Sequence, residues 1–247
     1  MASDDLGRLT SEIVACRRCP RLVRYREGVA RTKRAAFRDW TYWGRPVPGF
    51  GDPQARVLVV GLAPAAHGGN RTGRAFTGDR SGEWLYRALY RAGFANQPTS
   101  VSRDDGLALH DCYIVAAVRC APPQNKPSHV EFARCQPFIE REIALLPNLR
   151  VVVALGAVAM DAFLRAWRAL GHNVPTPRPK FRHAGRWSIP PVTLLASYHP
   201  SQRNTQTKLL TEAMLDSIFR TASVLISSNS QDWKGLSKAG RRPPVAA

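Results

Sequence analysis

Cys16 and Cys19 form a C-x-x-C pair in the polar stretch ACRRCPRL, and Cys120 and Cys135 lie fifteen positions apart further on. Thiolates so placed can hold a metal. Zinc favours two tight pairs, whereas an iron–sulfur cluster spans more room and accepts a loose second pair. Spacing leaves both open, with zinc the alternative. The fifth cysteine, Cys112, lies on the edge of an apolar run and reads as a small buried residue. Disulfides are not expected in a reducing compartment.

Three other side chains could move protons or steady charge. His199, in Ser197-Tyr-His-Pro, follows an apolar run, where an imidazole can donate to developing negative charge or act as acid or base. Behind it come Ser201, Gln202, Arg203, Asn204 and Thr205, polar types suited to phosphate and base contacts. Asp79 is the only carboxylate in the glycine-rich stretch Gly61–Gly82, where it can orient a water, pair with Arg80 or cap the next helix. Asn125 sits in the proline-flanked PPQNKP and can be a reacting amide or a plain turn residue. Phe76, a ring among glycines and threonines, can stack on a flat base or anchor the loop.

The stretch Gly61–Gly82 holds six glycines, yet neither common nucleotide motif fits it. Leu62-Ala63-Pro64 follows Gly61 where a dinucleotide fingerprint needs a second glycine, and Arg74-Ala75 stands where a P-loop needs Lys and Ser or Thr. The chain of 247 residues carries a formal charge of +18, little of it from the last 22 residues. A polyanionic partner, most often nucleic acid, accounts for that charge; a solvated basic surface is the plainer alternative. With no run of 18 apolar residues and no signal peptide, a soluble intracellular protein is expected.

Four continuous apolar runs must position these groups: 56–63, 113–119, 150–156 and 191–197. Without alternation they read as strands covered on both faces, hence a central four-stranded parallel sheet in a three-layer α/β/α sandwich. Helices are expected over 82–93, 128–146, 157–170 and 208–225, the second opening on a Ser128/Glu131 capping box. Three polar loops then meet at the strand C-termini, where sites in such sheets lie. Residues 1–225 form one domain with an N-terminal cysteine arm, and 226–247 read as a disordered basic tail.

Taken in order, Cys16-x-x-Cys19, GLAPAAHGGNRTGR from Gly61, Phe76-Thr-Gly-Asp79, AAVRCAPPQNKP from Ala116, Cys135 and HPSQRNTQT from His199 resemble one family. It is the uracil-DNA glycosylase superfamily, in its iron–sulfur B-type branch (family 5), over residues 10–225 or so. The resemblance implies a [4Fe-4S] cluster on Cys16, Cys19, Cys120 and Cys135. It implies a monomeric, monofunctional DNA-repair hydrolase of cytoplasmic, nucleoid-associated location, cleaving the N-glycosidic bond of uracil and of other deaminated bases such as hypoxanthine in double-stranded DNA. The flipped base would lie on Phe76 between Ala63, Ala65 and Ala116, with His199 stabilising the leaving base and Asp79 and Asn125 handling water. Gly68, Gly69, Arg71 and Arg74 would meet phosphates, and residues 201–205 would enter the groove. Two departures stand out: Leu62-Ala63 replace the acidic or amide residue many members carry there, and Ala116 replaces the base-reading Asn of the A-type branch, which implies looser base selection. The rival class is a non-catalytic iron–sulfur protein that binds damaged or single-stranded DNA.

Overall fold

The structure, a computed structural model, describes residues 5–236. The chain opens with α1 (Leu6–Ala15), capped by the Asp5 carboxylate, and α2 (Pro20–Thr32), with proline at its first position. Cys16 and Cys19 bracket the break between them. There follow β1 (Phe50–Gly51), β2 (Val57–Gly61), α3 (Gly69–Thr72), α4 (Arg80–Arg91), β3 (Cys112–Ala116), α5 (His129–Ala144), β4 (Val151–Leu155) and α6 (Ala157–Ala169). The chain continues through β5 (Gly185–Ile189), β6 (Val192–Ser197), α7 (Gln202–Gln206) and α8 (Glu212–Leu236).

The sheet order is β1-β3-β2-β4-β6-β5. The four inner strands are parallel, as the unbroken apolar runs require, but antiparallel strands β1 and β5 flank them and make six. These edges leave a different trace in sequence. β1 spans two residues, and β5 (GRWSI) exposes Arg186 and Ser188 between buried ends. A half-covered edge strand has no need of a continuous apolar run.

Inner-strand residues alternate between two cores although all but Thr193 are buried. Val57, Val59, Ile114, Val151 and Val153 pack with α4 and α8. Leu58, Val60, Val115, Val152 and Ala154 pack with α5 and α6. The Ser128/Glu131 capping box opens α5, and Arg21 reaches from α2 to both oxygens of Glu131 at 2.8 and 2.7 Å, fastening the cysteine arm to the domain. α8 begins at Glu212, four residues later than expected, and runs past the expected end at Leu225. Ile226 is still buried, and nothing breaks the helix before Leu236. The part of the expected tail from 237 to 247 lies outside the described residues.

The loop that follows β2 is folded around its own arginines. Arg71 and Arg74 are 3% and 4% exposed, so neither is presented to a phosphate, contrary to expectation. Arg71 donates to the carbonyls of His67 and Gly78, both at 2.8 Å, and lies 3.9 and 4.1 Å from the ring centroids of Phe37 and Trp40. Arg74 forks onto both oxygens of Asp105 at 2.8 Å and also donates to Ser100 and Thr77. A buried cation must be matched on every side, and these contacts do so for Arg74. Gly68 and Gly69 are buried too: the Gly68 N–H is taken by the Ala65 carbonyl, and a Cβ on Gly69 would lie 3.0 Å from Pro64. Their role is close packing within the loop, not a phosphate cradle.

Replacing Arg74 by Leu should destabilise the fold by about 3–5 kcal/mol, because the largely buried Asp105 carboxylate then has no counter-charge and only backbone N–H partners. Burial pushes the Asp105 carboxyl up, but the Arg74 guanidinium and the Val101 and Leu107 N–H groups hold it below the usual carboxylate range. The pair therefore stabilises above that range and is lost as pH falls through the lowered pKa. Denaturant unfolding should show the gap between wild type and variant narrowing in acid; a constant gap would remove the ion pair as its cause.

Candidate active site

A cavity of about 440 Å³ opens at the C-terminal ends of β2, β3 and β6. It gathers Ala63, Ala65, Phe76, Asp79, Ala116, Asn125, His199, Ser201 and Gln202 from loops far apart in sequence, and adds Leu62, Pro64, Ala75, Arg80 and Ser81. Most of its wall is apolar and small, so the few polar groups stand in poorly hydrated surroundings.

Phe76 has a positive φ of 52°, costly for an aromatic residue. The loop tolerates it because the ring lies against Gly61, where any Cβ would come within 2.7 Å of it. The ring stands 5.8 Å from that of His199, tilted by 32°. His199 sits just beyond β6, and its backbone carbonyl accepts from the Ser201 N–H at 2.7 Å and from the Asn204 amide at 2.9 Å. Burial lowers the His199 pKa to about 4. The imidazole is therefore neutral near pH 7, a hydrogen-bond donor and not a cation.

Asp79 does two jobs. One carboxylate oxygen accepts the Gly82 N–H at 2.9 Å and caps α4, while the side chain also walls the cavity. Burial raises its pKa, against the pull of the Gly82 and Ser81 N–H groups. The other oxygen lies so close to Gly68 that a Cβ there would be 2.0 Å away, which is why that position is glycine. Asn125 stands exposed at the rim, in the left-handed region (φ 56°) beside Gln124 (φ 55°). Its amide enters the cavity lining by virtue of that turn.

The run after His199 divides its labour. Ser201 caps α7 by accepting from the Asn204 N–H at 3.3 Å, and the Thr205 hydroxyl donates to the Gln202 carbonyl. Asn204 holds His199 in place, a role its polar neighbours masked in the sequence. Gln202 and Arg203 are exposed and free to face a ligand. Arg80, next to Asp79, is an exposed cation that lines the cavity.

The thiols of Cys16, Cys19, Cys120 and Cys135 line one pocket with Arg119, Leu22 and Phe138. None is in a disulfide. Among the described residues, no group of three or more His, Cys, Asp or Glu side chains is arranged to hold a single metal ion. Burial pushes Cys120 up to about 12 and Cys135 to about 11, with Arg26 and Arg119 respectively pulling the other way. Arg119 is 1% exposed and pairs with the buried Glu142, yet its Nε and Nη1 find no partner among the described residues, and neither does Nε of Arg26. Buried guanidinium N–H groups beside four soft donors fit an anionic, sulfur-rich occupant. Cys112 lies away from them in the α4 core, its thiol pushed up by burial.

No helix among the described residues is long and apolar enough to cross a membrane. The family model described as the uracil DNA glycosylase superfamily matches residues 48–222. A type-5 uracil-DNA glycosylase of Mycobacterium tuberculosis is 52% identical over 219 residues, covering 88% of this chain and 80% of that protein. One from Thermus thermophilus is 50% identical over 214 residues, 86% and 94% of the two chains. A type-4 uracil-DNA glycosylase of Pyrobaculum aerophilum is 29% identical over 198 residues, 80% of this chain and 83% of its own. The same loops that build the cavity fall within the matched span, and the chain belongs to the uracil-DNA glycosylase superfamily.

Proposed function

We propose that this chain hydrolyses the N-glycosidic bond of uracil, and of other deaminated bases such as hypoxanthine, in double-stranded DNA and leaves an abasic site. The observation that carries the reading is that a half-buried, neutral His199 and Asp79 line one base-sized cavity together with the Phe76 ring. The substrate base leaves the duplex and enters that cavity, since its sugar bond is out of reach in the stack. Phe76 supports its face. As the bond breaks, charge collects on the base, and the His199 N–H donates to it. An aimed donor of this kind contributes about 3–4 kcal/mol in other enzymes. Asp79, on the same wall, orients the incoming water and offsets the positive sugar, with Asn125 at the rim as its partner. Gln202, Arg203 and Arg80 meet the DNA backbone around the mouth.

Base selection is expected to be loose. Ala116, at the end of β3, offers no amide to read a pyrimidine edge, and Ala63 and Ala65 leave room for a purine. Cys16, Cys19, Cys120 and Cys135 would hold a [4Fe-4S] cluster, with Arg119 and Arg26 donating towards it. When bound, the cluster ties the N-terminal arm to the core; the glycosidic chemistry belongs to the cavity.

Single-turnover assays on duplexes holding one U:G pair or one hypoxanthine should show abasic sites in both. Release of uracil alone would end the loose-selection reading, and tight binding with no release would end the enzyme reading. His199→Ala should slow release by about 10²–10³-fold with DNA affinity kept. Because the His199 pKa is lowered to about 4, wild-type rate should show no imidazole inflection near 6.5, and protonation should impair His199 only as pH approaches 4. An unchanged rate in His199→Ala would sink its role.

Purified protein should contain about four iron and four sulfide per chain. Cys120→Ser should lose them, while Cys112→Ser should keep them. Zinc in their place would overturn the cluster.

A further inference from the structure

Asp79 is a wall with two sides. Opposite the base cavity lies a second cleft, about 680 Å³, and Asp79 is the one residue that lines both. The half-buried rings of Phe37 and Trp40 form one side of this cleft, and Val101, 56% exposed, stands on the other. Arg71 lies against both rings, and its Nη1 has no hydrogen-bond partner among the described residues. The segment that supplies the rings, residues 31–45, holds Arg31, Lys33, Arg34, Arg38 and Arg45 against a single carboxylate, Asp39. Arg31, Arg34, Arg38 and Arg45 are exposed.

We propose that this cleft is a second nucleotide subsite, which takes the base adjacent to the excised one on the same DNA strand. The proposal rests on the glycosylase reading above. Aromatic faces interleaved with cations are the chemistry that holds an unpaired nucleotide: the rings stack on the base, and the cations follow the backbone. Charge fixes the orientation. Asp79 and Glu83 line the cleft, and Arg87 beside them is already paired with Glu212 at 2.7 Å, which turns the phosphate towards the exposed arginines flanking Phe37.

The test uses the full-length protein and a uracil duplex with 5-iodocytosine placed next to the uracil on either side. After irradiation, adducts are mapped by mass spectrometry, and abasic sites are counted in a parallel unirradiated sample. The expected result is an adduct on Trp40 or Phe37 from one of the two placements. Val101→Trp, an exposed change that fills the cleft without touching the cavity, should abolish that adduct. It should also raise KM about tenfold, with kcat kept, as loss of one stacking contact requires. Abasic sites without an adduct on either ring would overturn the subsite and leave the glycosylase standing. No abasic sites would remove the glycosylase reading, and with it a subsite defined by the excised base. Wild-type KM and adduct yield in Val101→Trp would likewise overturn it.

Discussion

A guanidinium buried in a protein interior has to be met by acceptors or rings, and the site is arranged around that requirement. Arg74 and Arg71 sit inside the glycine-rich loop with Asp105, Ser100, the Gly78 carbonyl and two aromatic rings as their partners. Those contacts draw the 98–105 segment and the 37–44 segment onto the loop. They also fix the short stretch from Phe76 to Asp79, which would otherwise be a run of permissive residues. Glycine allows the tight fold; the arginines make it a single one.

On that frame, the chemistry follows from dryness. Alanines, Leu62, Pro64 and Phe76 exclude water, and exclusion by itself moves the titrations of His199 and Asp79 in opposite directions away from charge. A neutral imidazole forms no salt bridge with a resting carboxylate, which suits the donor role proposed for His199. The N-terminal arm repeats the theme at a different place. Three buried thiols and the half-buried Cys16 share a pocket with Arg119, and nitrogens of Arg119 and Arg26 that find no partner among the described residues are what the proposed cluster rests on.

Much of this was legible in the sequence, and the failures share a cause. Continuous apolar runs marked the four inner strands because residues facing either core must be apolar; edge strands, wet on one side, gave no such mark. Asp79, Asn125, His199 and the small wall residues meet in one cavity because their loops follow strand ends. Arg71 and Arg74 were misassigned because arginine among glycines looks the same whether it meets a phosphate or a buried carbonyl. The distinguishing signal lies elsewhere, for Arg71 in the rings of Phe37 and Trp40 and for Arg74 in Asp105, each more than thirty positions away. Asn204 was grouped with groove contacts since a side-chain amide that braces a backbone carbonyl leaves no local pattern.

The alanine walls have a consequence for how such a cavity can change over time. On the proposed reading, the walls at Ala63, Ala65 and Ala116 offer a base open space and no polar side chain. Nearly every substitution at these positions adds volume or a polar group to an open space, so new preferences can be tried without opening a void in the hydrophobic core. The scaffold is thus free to narrow towards one lesion by single replacements, and to widen again by reverting them.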